Sequence, residues 1–131
     1  MNRERAIMAL IALAGIINFL PVVGVTSAAR IESLYGIELA DPALEVLLRH
    51  RAVLFGLVGG FMIIAAFEKR LHAMAIIGGL IAMLSFMGLY YFTSDQPQSL
   101  MSIVYADIAG VISLSVALAF KVIDARRKGL R

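Results

Sequence analysis

Asp107 and Arg49 are the two residues in this sequence whose chemistry is most at odds with their surroundings. Asp107 lies within the apolar run Leu100 to Phe120. Arg49 precedes Ala52 to Phe67, a stretch with no polar side chain. A charge buried at the centre of a bilayer costs about 2.5–3.5 kcal/mol on insertion scales, so such residues face other helices and find partners. Asn18, Ser85 and Glu45 are the further polar residues in or beside apolar stretches. At helical rise, Asp107 stands about 21 Å from Lys121 and Arg49 about 28 Å from Glu68, with Asn18 and Ser85 roughly 18–21 Å from their own inner ends. All four belong to the same half of a membrane, the half away from the basic chain ends.

Helical phase adds the direction in which they point. At 100° per residue, Gly56 and Gly60 fall within about 20° of Arg49, and Arg51 falls about 160° away. A Gly-x-x-x-Gly stripe lets a neighbouring backbone approach closely and marks a packing face. Arg49 and Glu45 are therefore expected to face inward as an i,i+4 pair, with Arg51 snorkelling to the headgroups. Ser85 shares a stripe with Gly78, Ala82 and Gly88; Asn18 shares one with Ala14 and Gly15, and Asp107 with Gly110. Gly56, Gly60, Gly78 and Gly110 are read as helix-packing positions. The expectation is one polar cluster in which Arg49 and Asp107 meet, either as a structural ion pair or as a site for a ligand or proton. For Asn18, Ser85, Ser113 and Ser115, interhelical hydrogen bonds or bonds to helix carbonyls are the plainer explanation.

Other chemistries are excluded or poorly supported. There is no cysteine, which removes disulfides and thiolate metal sites. His50 and His72 are far apart, so no metal is expected, and no cofactor motif is present: no Gly-x-Ser-x-Gly, His-Glu-x-x-His, Walker or dinucleotide pattern occurs. His50 and His72 read as interface residues, and Tyr90 and Tyr91 as an outer aromatic belt that Tyr35 joins. A net charge of +3, with basic residues gathered at the chain ends and no aromatic interleaving, argues against a nucleic-acid surface.

The elements that position these residues are four hydrophobic helices. The 131 residues are 61% hydrophobic and 16% charged, too few polar groups to coat a soluble domain of this size. A span requires roughly 20 apolar residues. The pattern gives helices over 6–25, 42–67, 71–92 and 100–123. Asp41-Pro42 supplies an N-cap and a first-turn proline for the second. Residues 26–41 are a polar, mixed-charge connection, Glu68-Lys69-Arg70 a tight turn, and residues 93–99 a polar loop without a basic residue. The fold class is all-α: one integral membrane domain, a four-helix antiparallel bundle because the loops are short.

Of 12 basic residues, Arg3, Arg5, Lys69, Arg70, Lys121, Arg126, Arg127, Lys128 and Arg131 fall on one side, and only Arg30, Arg49 and Arg51 on the other. The positive-inside rule then places both termini in the cytoplasm. A rival reading makes residues 1–28 a signal peptide cleaved near Thr26-Ser27-Ala28, although the apolar run is long for one and Asn18 interrupts it.

Leu34-Tyr35-Gly36, Asp41-Pro42-Ala43-Leu44 and the run Leu47-Leu48-Arg49-His50-Arg51-Ala52-Val53-Leu54-Phe55-Gly56-Leu57-Val58-Gly59 resemble a family of small bacterial four-helix membrane proteins of unknown function. Ala65-Ala66-Phe67, Ser85-Phe86 and Ala106-Asp107 extend the resemblance over most of the chain, and Arg-His-Arg-Ala is its most specific part. The chain is also loosely similar to DoxX-like membrane proteins. The resemblance implies a bacterial inner-membrane location and supplies no activity. Some family members carry the label phosphopantetheine adenylyltransferase, but this chain lacks the His-x-Gly-His signature and any alternating β/α pattern.

Two classes of function fit these features. The polar cluster binds a small amphipathic or lipid-like molecule, or the glycine faces pack against another membrane protein or a second copy of the chain. The lipid bilayer is a partner in either case. An enzyme is a more distant reading, because no nucleophile–base pair is visible. The basic-residue asymmetry predicts that reporter fusions after Arg131 and at Lys69 read cytoplasmic, while a fusion at Asp95 reads periplasmic. A periplasmic carboxy-terminal reporter would reverse the orientation, and an intact mass that includes residues 1–28 would dispose of cleavage.

Overall fold

The computed structural model describes residues 2–129; Met1, Leu130 and Arg131 lie outside it, as does the side chain of Lys128. Of the basic-residue asymmetry, Arg131 therefore lies outside the described residues and Lys128 is described by its backbone alone. The described chain is helical, with no strand. Helix α1 is Arg3–Phe19, continued by a 3-10 segment, Leu20–Thr26. Then follow α2 (Ala28–Tyr35), α3 (Pro42–Ala66), α4 (His72–Phe92) and α5 (Met101–Gly129), the last preceded by a short 3-10 turn, Gln98–Leu100. Four segments are long and apolar enough to cross a membrane: Arg3–Thr26, Pro42–Ala66, His72–Phe92 and Gln98–Arg127.

Local chemistry sets most of these boundaries. The Asn2 side chain accepts from the Glu4 amide, Ser27 from that of Arg30 and Asp41 from that of Ala43, giving three helices side-chain N-caps. Pro21 explains why the first span is not a uniform α-helix. Proline lacks the N–H for an i→i−4 bond and its ring crowds the preceding turn, and here the backbone tightens into 3-10 geometry from Leu20 onward. Helix α2 lies inside the connection read from sequence as merely polar. It buries Ile31 and Tyr35, one turn apart on the same face. Gly36 ends it at φ 62, in the left-handed region, and the Leu39 amide donates to the Glu32 carboxylate at 2.8 Å to secure the exit.

Helix α1 packs along both α3 and α5, α4 packs mainly on α5, and α3 touches α4 more sparsely. Met62, Ile76, Met83 and Leu114 are fully buried between them, with small residues Ala14, Ala65, Ala75 and Ala117. At one end of the molecule Arg3 pairs with Asp124 at 3.2 Å and Lys69 pairs with Glu4, so the start of α1, the α3–α4 turn and the last turns of α5 meet there. The outward faces are apolar: Leu57, Ile64, Ile81, Leu89 and Phe92 are all well exposed, Phe92 at 94%.

Helices α1 and α3 approach to backbone contact. A β-carbon on Gly59 would lie 2.5 Å from the backbone nitrogen of Phe19 and 2.7 Å from the Gly15 carbonyl oxygen. Above it Gly56 receives Val22, and Ala52 lies beside Gly24. The contacting positions on α3 are thus Ala52, Gly56, Gly59 and Ile63, a spacing near 3.5 residues. This corrects the packing face expected from Gly56 and Gly60. Gly56 is on it, but Gly60 only meets the Phe19 ring at 3.8 Å, ordinary van der Waals distance. Gly78 has no neighbour within 4 Å of its would-be β-carbon. The buried glycine of α4 is Gly79, against Leu114 and Met62. Gly110 does pack, under the flexible end of Met83.

Gly59→Ala is expected to destabilise the folded protein by about 1–3 kcal/mol, because the clash is with backbone and no rotamer relieves it. Gly78→Ala, in open space in mid-helix, should be neutral or slightly stabilising. Thermal unfolding of the two variants in detergent checks this, and equal stability would place the α1–α3 crossing elsewhere.

Candidate functional site

Arg49 does not reach Asp107. Its Nε and Nη2 donate to the Val25 carbonyl at 3.1 and 2.9 Å, and Nη1 donates to Glu45 at 3.1 Å. The guanidinium thus closes the carboxy-terminal end of the 3-10 segment, where carbonyls lack helical partners. Phase analysis correctly turned Arg49 toward the small-residue seam. What covers that seam is the 3-10 segment, and α5 lies on the other flank of α1. Arg49 and Glu45 therefore belong to a structural ion pair and not to a site shared with Asp107.

The residue that faces Asp107 is Arg51, the one expected to snorkel away. Arg51, Asp107 and Asn18 line one pocket of about 170 Å³ among α1, the 3-10 segment, α2, α3 and α5. Cavities of ~150 Å³ accept a benzene-sized group. Tyr35, Leu34 and Phe55 supply much of the remaining wall. The guanidinium of Arg51 stands over three aromatic rings, with its carbon 5.3 Å from the centroid of Tyr35, 4.8 Å from Phe55 and 5.0 Å from Phe86. Each distance is within cation–π range. The aromatic faces hold the cation in place without neutralising it.

The polar groups of the pocket are not satisfied by one another. Asn18 is 2% exposed, and neither its amide nitrogen nor its oxygen has a hydrogen-bond partner among the described residues. Asp107 is 8% exposed. Neither Asp107 nor Arg51 takes part in any ion pair or side-chain hydrogen bond among the described residues, although the two are within electrostatic reach. Buried polar atoms are nearly always paired, so the two unpaired atoms of the Asn18 amide, beside a carboxylate and a guanidinium without partners, call for an occupant of this space.

A second space, about 430 Å³, lies on the other side of Arg51 and Phe55, between α3 and α4. Ser85 borders it, with its hydroxyl donating back to the Ala82 carbonyl at 2.9 Å. Tyr90 also borders it, and here the aromatic-belt expectation fails for two of three residues, Tyr35 being buried too. Tyr91 is exposed, but Tyr90 is buried with an unpartnered hydroxyl. The structure thus brings Asn18 and Asp107 together, places Ser85 in the adjoining space, and leaves Arg49 and Glu45 in neither. His72 likewise departs from a surface reading. It is buried and hydrogen-bonds the Ala66 carbonyl at 2.9 Å, fastening the α3–α4 turn. No group of His, Asp and Glu suited to a metal ion occurs among the described residues.

Arg51, Tyr35, Phe55 and Tyr90 are the site residues missed in the sequence. A signal existed for one pair: Arg51 and Phe55 are i,i+4 on α3, the spacing at which a cation can lie over a ring. Phe86 and Tyr90 come from a different helix and leave no trace in local spacing.

Four helices of spanning length, three of them lining a small, partly polar pocket, fit a multi-pass membrane protein. No family model, curated protein or solved structure matches the chain.

The geometry predicts that Arg49→Ala and Asp107→Ala are additive in stability to within about 0.5 kcal/mol, whereas Arg51→Ala and Asp107→Ala are coupled. Thermal or denaturant unfolding of the two double-mutant cycles decides it. Coupling in the first cycle and additivity in the second would reverse the assignment.

Proposed function

We propose that the chain is an integral protein of the bacterial inner membrane, an antiparallel four-helix bundle with both termini cytoplasmic, which holds a small amphipathic molecule in the pocket around Asn18, Arg51 and Asp107. Several features support the membrane reading. The outward faces carry large apolar side chains over four spanning lengths, far more than a water-exposed monomer tolerates. The end that gathers Arg3, Lys69 and Asp124 also carries most of the basic residues, in keeping with the positive-inside rule. The resemblance to small bacterial four-helix membrane proteins agrees with that location.

The observation that carries the ligand reading is the Asn18 side chain. An amide buried without any partner loses its water bonds and gains nothing, at a cost of about 1–3 kcal/mol. Its place in the wall of a pocket beside Asp107 supplies the reason: a guest provides the bonds. The apolar remainder of the wall suits the guest's hydrocarbon part.

A second reading, as an assembly partner of another membrane subunit or of a second copy, is favoured by one feature. Gly78 and Gly88 of α4 meet nothing within 4 Å, and a groove lined by Leu57, Phe61 and Gly78 runs between α3 and α4.

Native mass spectrometry of gently extracted protein distinguishes the two. The wild type should carry an amphiphile of defined mass. Asn18→Leu, a near-isosteric change that removes the orphan amide, should lose it while folding at least as stably. A bare protein that runs as a dimer or with a partner subunit would favour assembly, and an adduct unchanged in Asn18→Leu would dismiss this pocket as its site.

A further inference from the structure

The pocket presents one cation and one anion that do not neutralise each other. Arg51 has three aromatic rings around its guanidinium and no hydrogen bond or ion pair to any described residue. Asp107, nine-tenths buried, has neither. Both border the same space of about 170 Å³. Two opposite charges in a medium of low dielectric attract strongly, and contact between them would relieve both. The rings of Tyr35, Phe55 and Phe86 hold the guanidinium back, and Asp107 is fixed on α5. The space between them is therefore suited to an occupant that carries the complementary charges itself.

Resting on the ligand reading above, we infer that the guest has a zwitterionic head, an ammonium beside Asp107 and a phosphate or carboxylate beside Arg51, borne on an acyl chain. A purely anionic head would satisfy Arg51 but oppose Asp107, and a purely cationic one the reverse. Asn18, with both a donor and an acceptor free, suits either part of such a head. A larger space adjoins the pocket and could take the acyl chain. Arg51 and Phe55 also border the larger space between α3 and α4, whose other walls include Phe86, Leu89 and Leu100. The contact between those two helices is sparse. With the head at Asp107 and Arg51, a shift of the Phe55 side chain, which stands between the two spaces, would let the chain run past Phe86 to the outer face, where Leu89 is 72% exposed.

The test uses the full chain, purified in a non-ionic detergent and stripped of lipid, with thermal unfolding and native mass spectrometry as readouts. Lysophosphatidylethanolamine, lysophosphatidylglycerol and soluble phosphoethanolamine are the probes. The wild type should bind lysophosphatidylethanolamine about tenfold or more tightly than lysophosphatidylglycerol, as expected when a close charge pair is gained rather than opposed. Asp107→Asn should abolish or invert that preference while still retaining lysophosphatidylglycerol. Arg51→Gln should weaken both, and Arg51→Lys, which keeps the charge, should restore part of the binding if the variant protein folds as the wild type does. Equal protection by soluble phosphoethanolamine would overturn the acyl-chain part, making the guest a free zwitterion. Binding of both lipids without preference, unchanged in Asp107→Asn, would overturn the head-group inference and leave the ligand reading intact, with water between Arg51 and Asp107. If neither lipid binds and nothing copurifies, both readings fall together.

Discussion

The approach of α1 to α3 at backbone contact governs how the rest of the chain is arranged. Gly59 lies so near Phe19 and the Gly15 carbonyl that any side chain there would collide with main-chain atoms. Close backbone packing of this kind is a route to helix association when solvent and side chain are equally apolar and burial itself supplies no drive. From that crossing the seam continues through Gly56 with Val22 and Ala52 with Gly24, and ends where Arg49 bonds the Val25 carbonyl. The 3-10 geometry imposed around Pro21 is part of the same seam. Its exposed terminal carbonyl is what Arg49 answers.

Because α3 gives its glycine face to α1, its opposite side is left for longer side chains. Arg51 and Phe55 emerge there, and α2 folds over them from one side with Tyr35 while α4 approaches from the other with Phe86. Helices α3 and α5 do not pack directly on one another to any extent. The gap between them is the pocket, floored by Asn18 near the end of α1. The same arrangement that makes the α1–α3 interface tight thus makes the α3–α5 side open. The unsatisfied Asn18 amide and the unpaired charges lie along that open side, and the Tyr90 hydroxyl borders the adjoining space between α3 and α4.

The two ends of the molecule divide the work. Ion pairs Arg3–Asp124 and Lys69–Glu4 and the buried His72 fasten one end. These pairs are largely exposed and contribute little stability individually; their value is in the register they give to α1, the α3–α4 turn and α5. At the opposite end the clasp is Arg49, which ties α3 to the Val25 carbonyl of the 3-10 segment and pairs with Glu45. There the amphipathic α2 rests on Ile31 and Tyr35, with Gly36 turning the chain back toward α3.

The sequence by itself determined the four apolar helices, the starting point of α3 at Asp41-Pro42 and the inward placement of Asn18 and Asp107. Each follows from local rules: run length, capping chemistry, and the cost of leaving an amide or carboxylate in hydrocarbon. It did not reveal α2, whose eight residues are too short and too charged for a span and show only one buried repeat, Ile31 to Tyr35. It also paired the wrong arginine with Asp107. Phase along α3 separates Arg49 from Arg51 reliably, but says nothing about which neighbour each face meets. That was decided by tertiary structure. The glycine seam is claimed by α1 and its 3-10 extension because only there can two backbones touch, so Arg49 is spent on a carbonyl and Arg51 is left to face Asp107 across the pocket.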